Sequence, residues 1–356
     1  MGRLLSDYLK PVSVTLNEAN HKTMTVILSE AKNPGGERVR LLPVMTWLAL
    51  LASAATTLWI AGCRPDLQSN HEETLMYKPT AVWDAAHTGV ELDKILGIGL
   101  DHRGRVYATA GKGNEGVLVF DGAGGVIGVW GRGFVDKHGL RIFGDRVWVT
   151  DRQRHIVMEF TLDGRLLRTL GTDGQSGLAD NQFDKPADVA VAPNGDIYIA
   201  DGYGNSRVMR FAADGRFKQS WGTKGAAPGQ FDVVHNIVID RTGRVLVADR
   251  ENCRIQLFDL DGQYIEQWTH VGKPFGLALD DQDRIYTTDG QSNRVYVLDR
   301  DGRVLAQFGR TGPGPGEFQV AHSIAVDKQG NIYVAEGDGM RIQRFTLQNS
   351  ADKPNM

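Results

Sequence analysis

From about Leu75 onward, this chain of 356 residues repeats a unit of four short apolar segments separated by tight turns. One copy, KPADVAVAPNGDIYIADGYGNSRVMRFAADGRFKQSWG (185–222), shows the pattern plainly. It holds a first strand, an Asn194-Gly195 turn, a second strand, a loop, a third strand, an Asp214-Gly215 turn and a fourth strand. Period-two alternation bounded by such turns is the mark of β-hairpins. The other copies open at Leu96, His138, His235, Phe275 and His322, roughly 40–50 residues apart, which is the period of a propeller blade. The expected fold is therefore all-β, a six-bladed β-propeller over residues 74–348. The last copy stops after its third strand, near Leu347. Its missing outer strand is expected from Met76–Trp83, closing the ring with N-terminal chain and removing the exposed edges.

The segments outside the repeat read differently. Arg38 and Arg40 precede an uncharged apolar run from Leu41 that ends in Ile60-Ala61-Gly62-Cys63. A basic stretch, an apolar stretch and small closing residues make up an export signal, so residues 38–63 are read as one. The closing four residues resemble a bacterial lipobox, which implies lipidation at Cys63. An apolar run of this length also suits a membrane-spanning anchor. Either reading places the rest of the chain outside the cytoplasm, at the periplasmic or outer cell surface, tethered to a membrane. Residues 1–37 form a leader without sustained periodicity, 64–73 a polar tether, and 349–356 a polar tail. The formal net charge is −3, with no basic patch interleaved with aromatics, which argues against nucleic acid as a partner. The chain is expected to be a monomer acting on a small-molecule or peptide substrate.

Aligning the six copies at the start of the first strand exposes one register. Blade by blade it holds Leu96, His138, Ala187, His235, Phe275 and His322. Histidine occupies alternate blades, and alternate blades of a six-blade ring lie about a third of a turn apart. Three imidazoles at equal height would meet on the axis, the ligand set of a zinc ion with an open fourth position. A lone histidine at a strand start is more often a hydrogen-bonded side chain, the role expected for His71, His87, His102, His155 and His270. Two loop residues complete the candidate site. Tyr203 follows Asp201-Gly202 in blade three, where its hydroxyl could act as acid or base, and Arg250 follows Asp249 in blade four, where it could clamp a carboxylate. Read singly, Tyr203 caps a loop and Arg250 pairs with Glu251.

The repeats resemble the NHL-repeat family. The run from KPADVAV through YIADGYGNSRVMRF to HNIVID and VADRENCRIQLF is similar to the core of the peptidyl-α-hydroxyglycine α-amidating lyases. That resemblance implies a zinc-dependent carbon–nitrogen lyase that yields an amide and glyoxylate. It implies His138, His235 and His322 as zinc ligands, Tyr203 as general base and Arg250 as substrate clamp. It also implies a structural calcium, with backbone contacts that fall near Ile98 and Leu140. The sequence departs from the family at three places. The first-blade arginine is absent and that stretch offers Lys112; the calcium carboxylate after the last zinc histidine is Ser323; and Gly204 stands where a loop cysteine would follow Tyr203. Two other functions compete. One is a non-enzymatic surface propeller binding a protein, peptide or glycan. The other is a calcium lactonase, which needs axial carboxylates where this chain has imidazoles.

Overall fold

The computed structural model describes residues 75–111 and 116–348. The leader, the export signal with Cys63, the tether, the tail and Lys112 lie outside the described residues. Among the described residues no helix is long and apolar enough to cross a membrane.

Six four-stranded antiparallel sheets follow one another around a ring. Five are simple meanders of consecutive strands. The sixth combines Ala321–Val326, Ile332–Glu336 and Ile342–Leu347 with Tyr77–Trp83 from the other end of the repeat region. Tyr77 pairs with Leu347 and Trp83 with Ile342, so the outer strand of the last blade comes from ahead of the first. A propeller closed in this way leaves no blade short of a strand.

The second strands of blades three and four are buried throughout, whereas their outer strands carry exposed residues, alternating with covered ones in Phe217–Trp221 and continuous up to the closing tryptophan in Tyr264–Trp268. Period-two alternation on the outer strand and continuous apolarity further in follow from that gradient of burial. Neighbouring blades lock through aromatic residues that end the outer strands. The turn glycine Gly164 of blade two (φ 85°) lies against Trp130 of blade one, where an added Cβ would sit 2.4 Å from the indole. Gly124 of blade one repeats this against Trp83, at 2.5 Å, so the same contact seals the ring. The turn glycines thus serve packing between blades as well as chain reversal.

Candidate metal centre

Four of the six inner strands begin with an irregularity in their pairing. In blades four, five and six the pairing to the second strand skips His235, Phe275 and His322 respectively, and in blade two it skips His138 and Gly139. A bulge at this place turns the unpaired side chain out of the sheet and toward the axis. The backbone just ahead is also strained. Val233 and Val320, each two residues before a histidine, have φ of 62° and 60°, a region that β-branched residues rarely enter.

Buried acids hold these turns in place. Asp151, Asp249 and Glu336 end the second strands and accept the backbone N–H of Val135, Asp232 and Gln319 at 2.7 Å. Each of those N–H groups lies three residues before a histidine. Two of the carboxylates also take an arginine from the third strand, Arg254 on Asp249 at 2.7 Å and Arg341 on Glu336 at 2.6 Å.

The result is three imidazoles on the axis with ring centroids 4.9–5.0 Å apart. All three are buried. Each Nδ1 faces a backbone carbonyl of the next blade: His138 that of Ala187 at 2.8 Å, His235 that of Phe275 at 2.7 Å, and His322 that of Leu96 at 3.0 Å. A carbonyl can only accept, so Nδ1 carries the proton and Nε2 presents a lone pair toward the centre. Burial drives all three well below the usual histidine range, His322 to about 3, with Arg250 pushing all three in the same direction and Arg152 pushing His138 and His322. The imidazoles are therefore neutral at neutral pH.

Tyr203 and Arg250 reach the same point. The Tyr203 hydroxyl is 3.1 Å from His138 Nε2 and 2.9 Å from His235 Nε2, and it accepts from Arg250 Nη1 at 3.0 Å. One hydroxyl proton cannot serve two imidazole lone pairs at once, so at least one Nε2 faces oxygen without a donor. A cation relieves that conflict. The histidine ligand atoms lie within 4.8 Å of one another, and among the described residues this is the only cluster of His, Cys, Asp or Glu able to hold a metal. Three neutral nitrogen donors, tautomers fixed by carbonyls and one open side fit a zinc-type ion. Arg250 also bonds Glu251 at 2.9 Å, so its loop pairing and its place at the centre hold together. The other described histidines have local partners, such as Ala123 O for His87 and Gly302 O for His270, both far from the axis.

Calcium does not fit the residues present. Ile98 and Leu140 are buried in inner strands, but the adjoining Arg141 extends its guanidinium across the channel. It bonds Asp188 through Nε and Nη2 at 3.0 and 2.7 Å, Asn236 through Nη2, and the Leu277 carbonyl at 2.9 Å. The buried carboxylate of this layer is thus already occupied by an internal cation, and a hard ion would find too few oxygens. Below the Arg141 guanidinium the channel holds a cavity of about 210 Å³ lined by Arg141 itself and by Ile98, Ile142, Ile237 and Leu279. The guanidinium divides that cavity from the histidines.

Arg152 was not singled out by the sequence reading. Its guanidinium lies 4.6 Å from the centre of the Tyr203 ring, and that of Arg250 lies 5.1 Å from it. The signal was available in the register after each second-strand acid, where Asp151-Arg152 and Asp249-Arg250 stand in blades two and four. The same position is glycine at Gly202, Gly290 and Gly337.

Fold and site together define a six-bladed β-propeller with a three-histidine axial centre. A family model described as a 6-bladed beta-propeller matches residues 272–351, and the NHL repeat model matches 183–211. Among curated proteins, NHL repeat-containing protein 3 of Homo sapiens is 36% identical over 167 residues, covering 43% of this chain and 48% of that protein. Peptidyl-alpha-hydroxyglycine alpha-amidating lyase 1 of Drosophila melanogaster is 30% identical over 256 residues, covering 63% of this chain and 47% of that one. The chain spans about half the length of these relatives. A virginiamycin B lyase from Staphylococcus aureus shares the fold, with a TM-score of 0.53 at 13% identity over 77% of this chain and all of that one.

Proposed function

We propose that the protein is an exported, zinc-dependent carbon–nitrogen lyase that splits an α-hydroxyglycine-type substrate into an amide and glyoxylate. The observation that carries this reading is the convergence of His138, His235, His322, Tyr203 and Arg250 on one point of the axis. The likeness to lyases of this class supports it over 63% of the chain.

The histidines would hold zinc through Nε2, and bound zinc supplies Lewis acidity toward the substrate hydroxyl. Tyr203 gives its own phenol proton to the departing nitrogen and takes the substrate hydroxyl proton in its place, while the oxygen's electron pair becomes the aldehyde carbonyl and the carbon–nitrogen pair leaves on nitrogen. The tyrosine ends with one proton, as it began, so amide and glyoxylate form with no other acid or base consumed. Arg250 donates to the tyrosine oxygen, a bond that strengthens as the oxygen gains charge. The burial of the histidines and the Arg141 bridge beneath them keep the centre dry, where such charge effects are large.

The test is glyoxylate release from a synthetic N-acyl-α-hydroxyglycine peptide. Zinc-loaded protein that releases none overturns the lyase reading in favour of a binding propeller. The proposed location rests on the lipobox-like Ile60–Cys63. Mass spectrometry of the mature N-terminus should find Cys63 as a lipid thioether, and a chain that keeps the residues ahead of Cys63, or an unmodified Cys63, would overturn the lipid anchor.

A further inference from the structure

Two arginines, from the blades on either side of blade three, address the same tyrosine. Arg250 of blade four lies 5.1 Å from the Tyr203 ring centre and 4.9 Å from that of Phe275, and Arg152 of blade two lies 4.6 Å from the Tyr203 ring. Both are anchored to histidine-bearing turns. The Arg152 N–H donates to the carbonyl of Asp136, two residues before His138, and the Arg250 N–H donates to that of Val233, two residues before His235. Their side chains are braced from outside by carboxylates: Asp136 takes Nε and Nη2 of Arg152 at 3.0 and 2.9 Å, and Glu251 takes Nε of Arg250 at 2.9 Å. Lys273 holds the second oxygen of Glu251 at 2.6 Å, which fixes that brace further. Neither guanidinium is therefore a loose surface charge; the side chains of Arg152 and Arg250 are 21% and 15% exposed.

The centre they face lacks anions. Its groups are three neutral imidazoles, a phenol and two guanidiniums, and among the described residues no carboxylate touches the Tyr203 oxygen or a histidine Nε2. Guanidiniums pre-oriented by acids, in a mostly buried site that presents no negative charge, are built to receive a planar anion. We propose that Arg152 is a substrate-binding, specificity-determining residue that with Arg250 forms a two-sided clamp for the carboxylate of the substrate. The first-blade stretch that offers only Lys112 is then not where the second arginine is found; blade two supplies it. Aromatic contact with Tyr203 sets the height of both guanidiniums, so the carboxylate is gripped beside the group that moves the proton. This assignment rests on the proposed lyase reading for the identity of the anion's carrier, but not for the clamp itself.

The test uses two ligands that cannot react, N-acetylglycine and its neutral amide N-acetylglycinamide, titrated calorimetrically into the zinc-loaded full chain. Wild type should bind the acid at least about tenfold more tightly than the amide, as charge-assisted hydrogen bonds require. Arg152→Gln should lose about tenfold or more in affinity for the acid with the amide unchanged, and Arg152→Lys should recover part of the loss. If Arg152→Gln binds both ligands as wild type does, or weakens both equally, the clamp is overturned. It is overturned too if wild type does not distinguish acid from amide. Because no turnover is needed, a protein that shows the discrimination yet releases no glyoxylate keeps the clamp and loses the lyase assignment. One that turns over α-hydroxyglycine with KM unaffected by Arg152→Gln does the reverse.

Discussion

His235 donates its Nδ1 proton to the carbonyl oxygen of Phe275 at 2.7 Å, and Phe275 occupies in blade five the register that His235 occupies in blade four. The same relation joins His138 to Ala187 and His322 to Leu96. The alternation of imidazole and apolar residue around the ring is therefore also an alternation of donor and acceptor. What the odd-numbered blades contribute is the main-chain carbonyl, so their side chains are free to differ, as leucine, alanine and phenylalanine do.

A prediction about metal binding follows from that division. The purified protein should hold one zinc-type ion per chain by elemental analysis. In chelator competition, His235→Ala should weaken binding by more than the roughly 10–100-fold that loss of an outer partner costs. Phe275→Ala, which keeps the carbonyl, should stay within about tenfold of wild type. Equal losses in the two variants would show that the orienting group is not the main chain.

Some of this centre was legible in the sequence and some was not. The fold and the three histidines were legible because a propeller converts sequence period into angle, so that side chains roughly 90–100 residues apart share one axis. Tyr203 and Arg250 were legible through motif resemblance. Arg152 was missed, although it shares a register with Arg250, because that register was read in single blades and not around the ring. The bulges at His138, His235 and His322 and the strained Val233 and Val320 leave no local mark, since valine is an ordinary strand residue. The calcium expectation failed on one side chain. No sequence signal marks Arg141, because only the closed ring brings it to Asp188, Asn236 and Leu277 at once.

The neutral histidines make the metal-free protein sensitive to acid in a stated direction. Burial holds His138 and His235 well below 6.5 and His322 at about 3, whereas the unfolded chain takes up these protons near pH 6.5. Below that pH the unfolded state binds more protons, so the stabilisation is complete above 6.5 and is lost as pH falls toward 3. Each histidine contributes a slope of ~1.4 kcal/mol per pH unit inside the window. Asp188, Asp201 and Asp249, pushed upward by burial, act in the opposite sense, so the comparison is made with a variant. Urea unfolding of metal-free His322→Gln between about pH 5 and 6.5 should show a slope shallower by ~1.4 kcal/mol per pH unit. An unchanged slope would mean that His322 is protonated in the folded protein.

Arg141 and Asp188 should be strongly coupled, because each is the other's compensation in a buried layer. Asp188 is 1% exposed and has no other cationic partner among the described residues. Arg141→Met leaves its carboxylate charged and unmatched, which costs about 3–5 kcal/mol. Asp188→Leu strands the guanidinium in the same way. Asn236 keeps a partner in the Leu277 N–H at 3.0 Å, so the double variant removes both charges while leaving that acceptor satisfied. Chemical unfolding of the four proteins should give a double variant more stable than the sum of the single losses by at least ~2 kcal/mol. The metal centre supplies a second reading. If the guanidinium seals the channel beneath the histidines, the double variant restores stability without restoring the seal, and zinc should leave it faster than it leaves wild type. Additive losses in stability would mean that other contacts hold these blades, and the bridge would then be incidental to the ring.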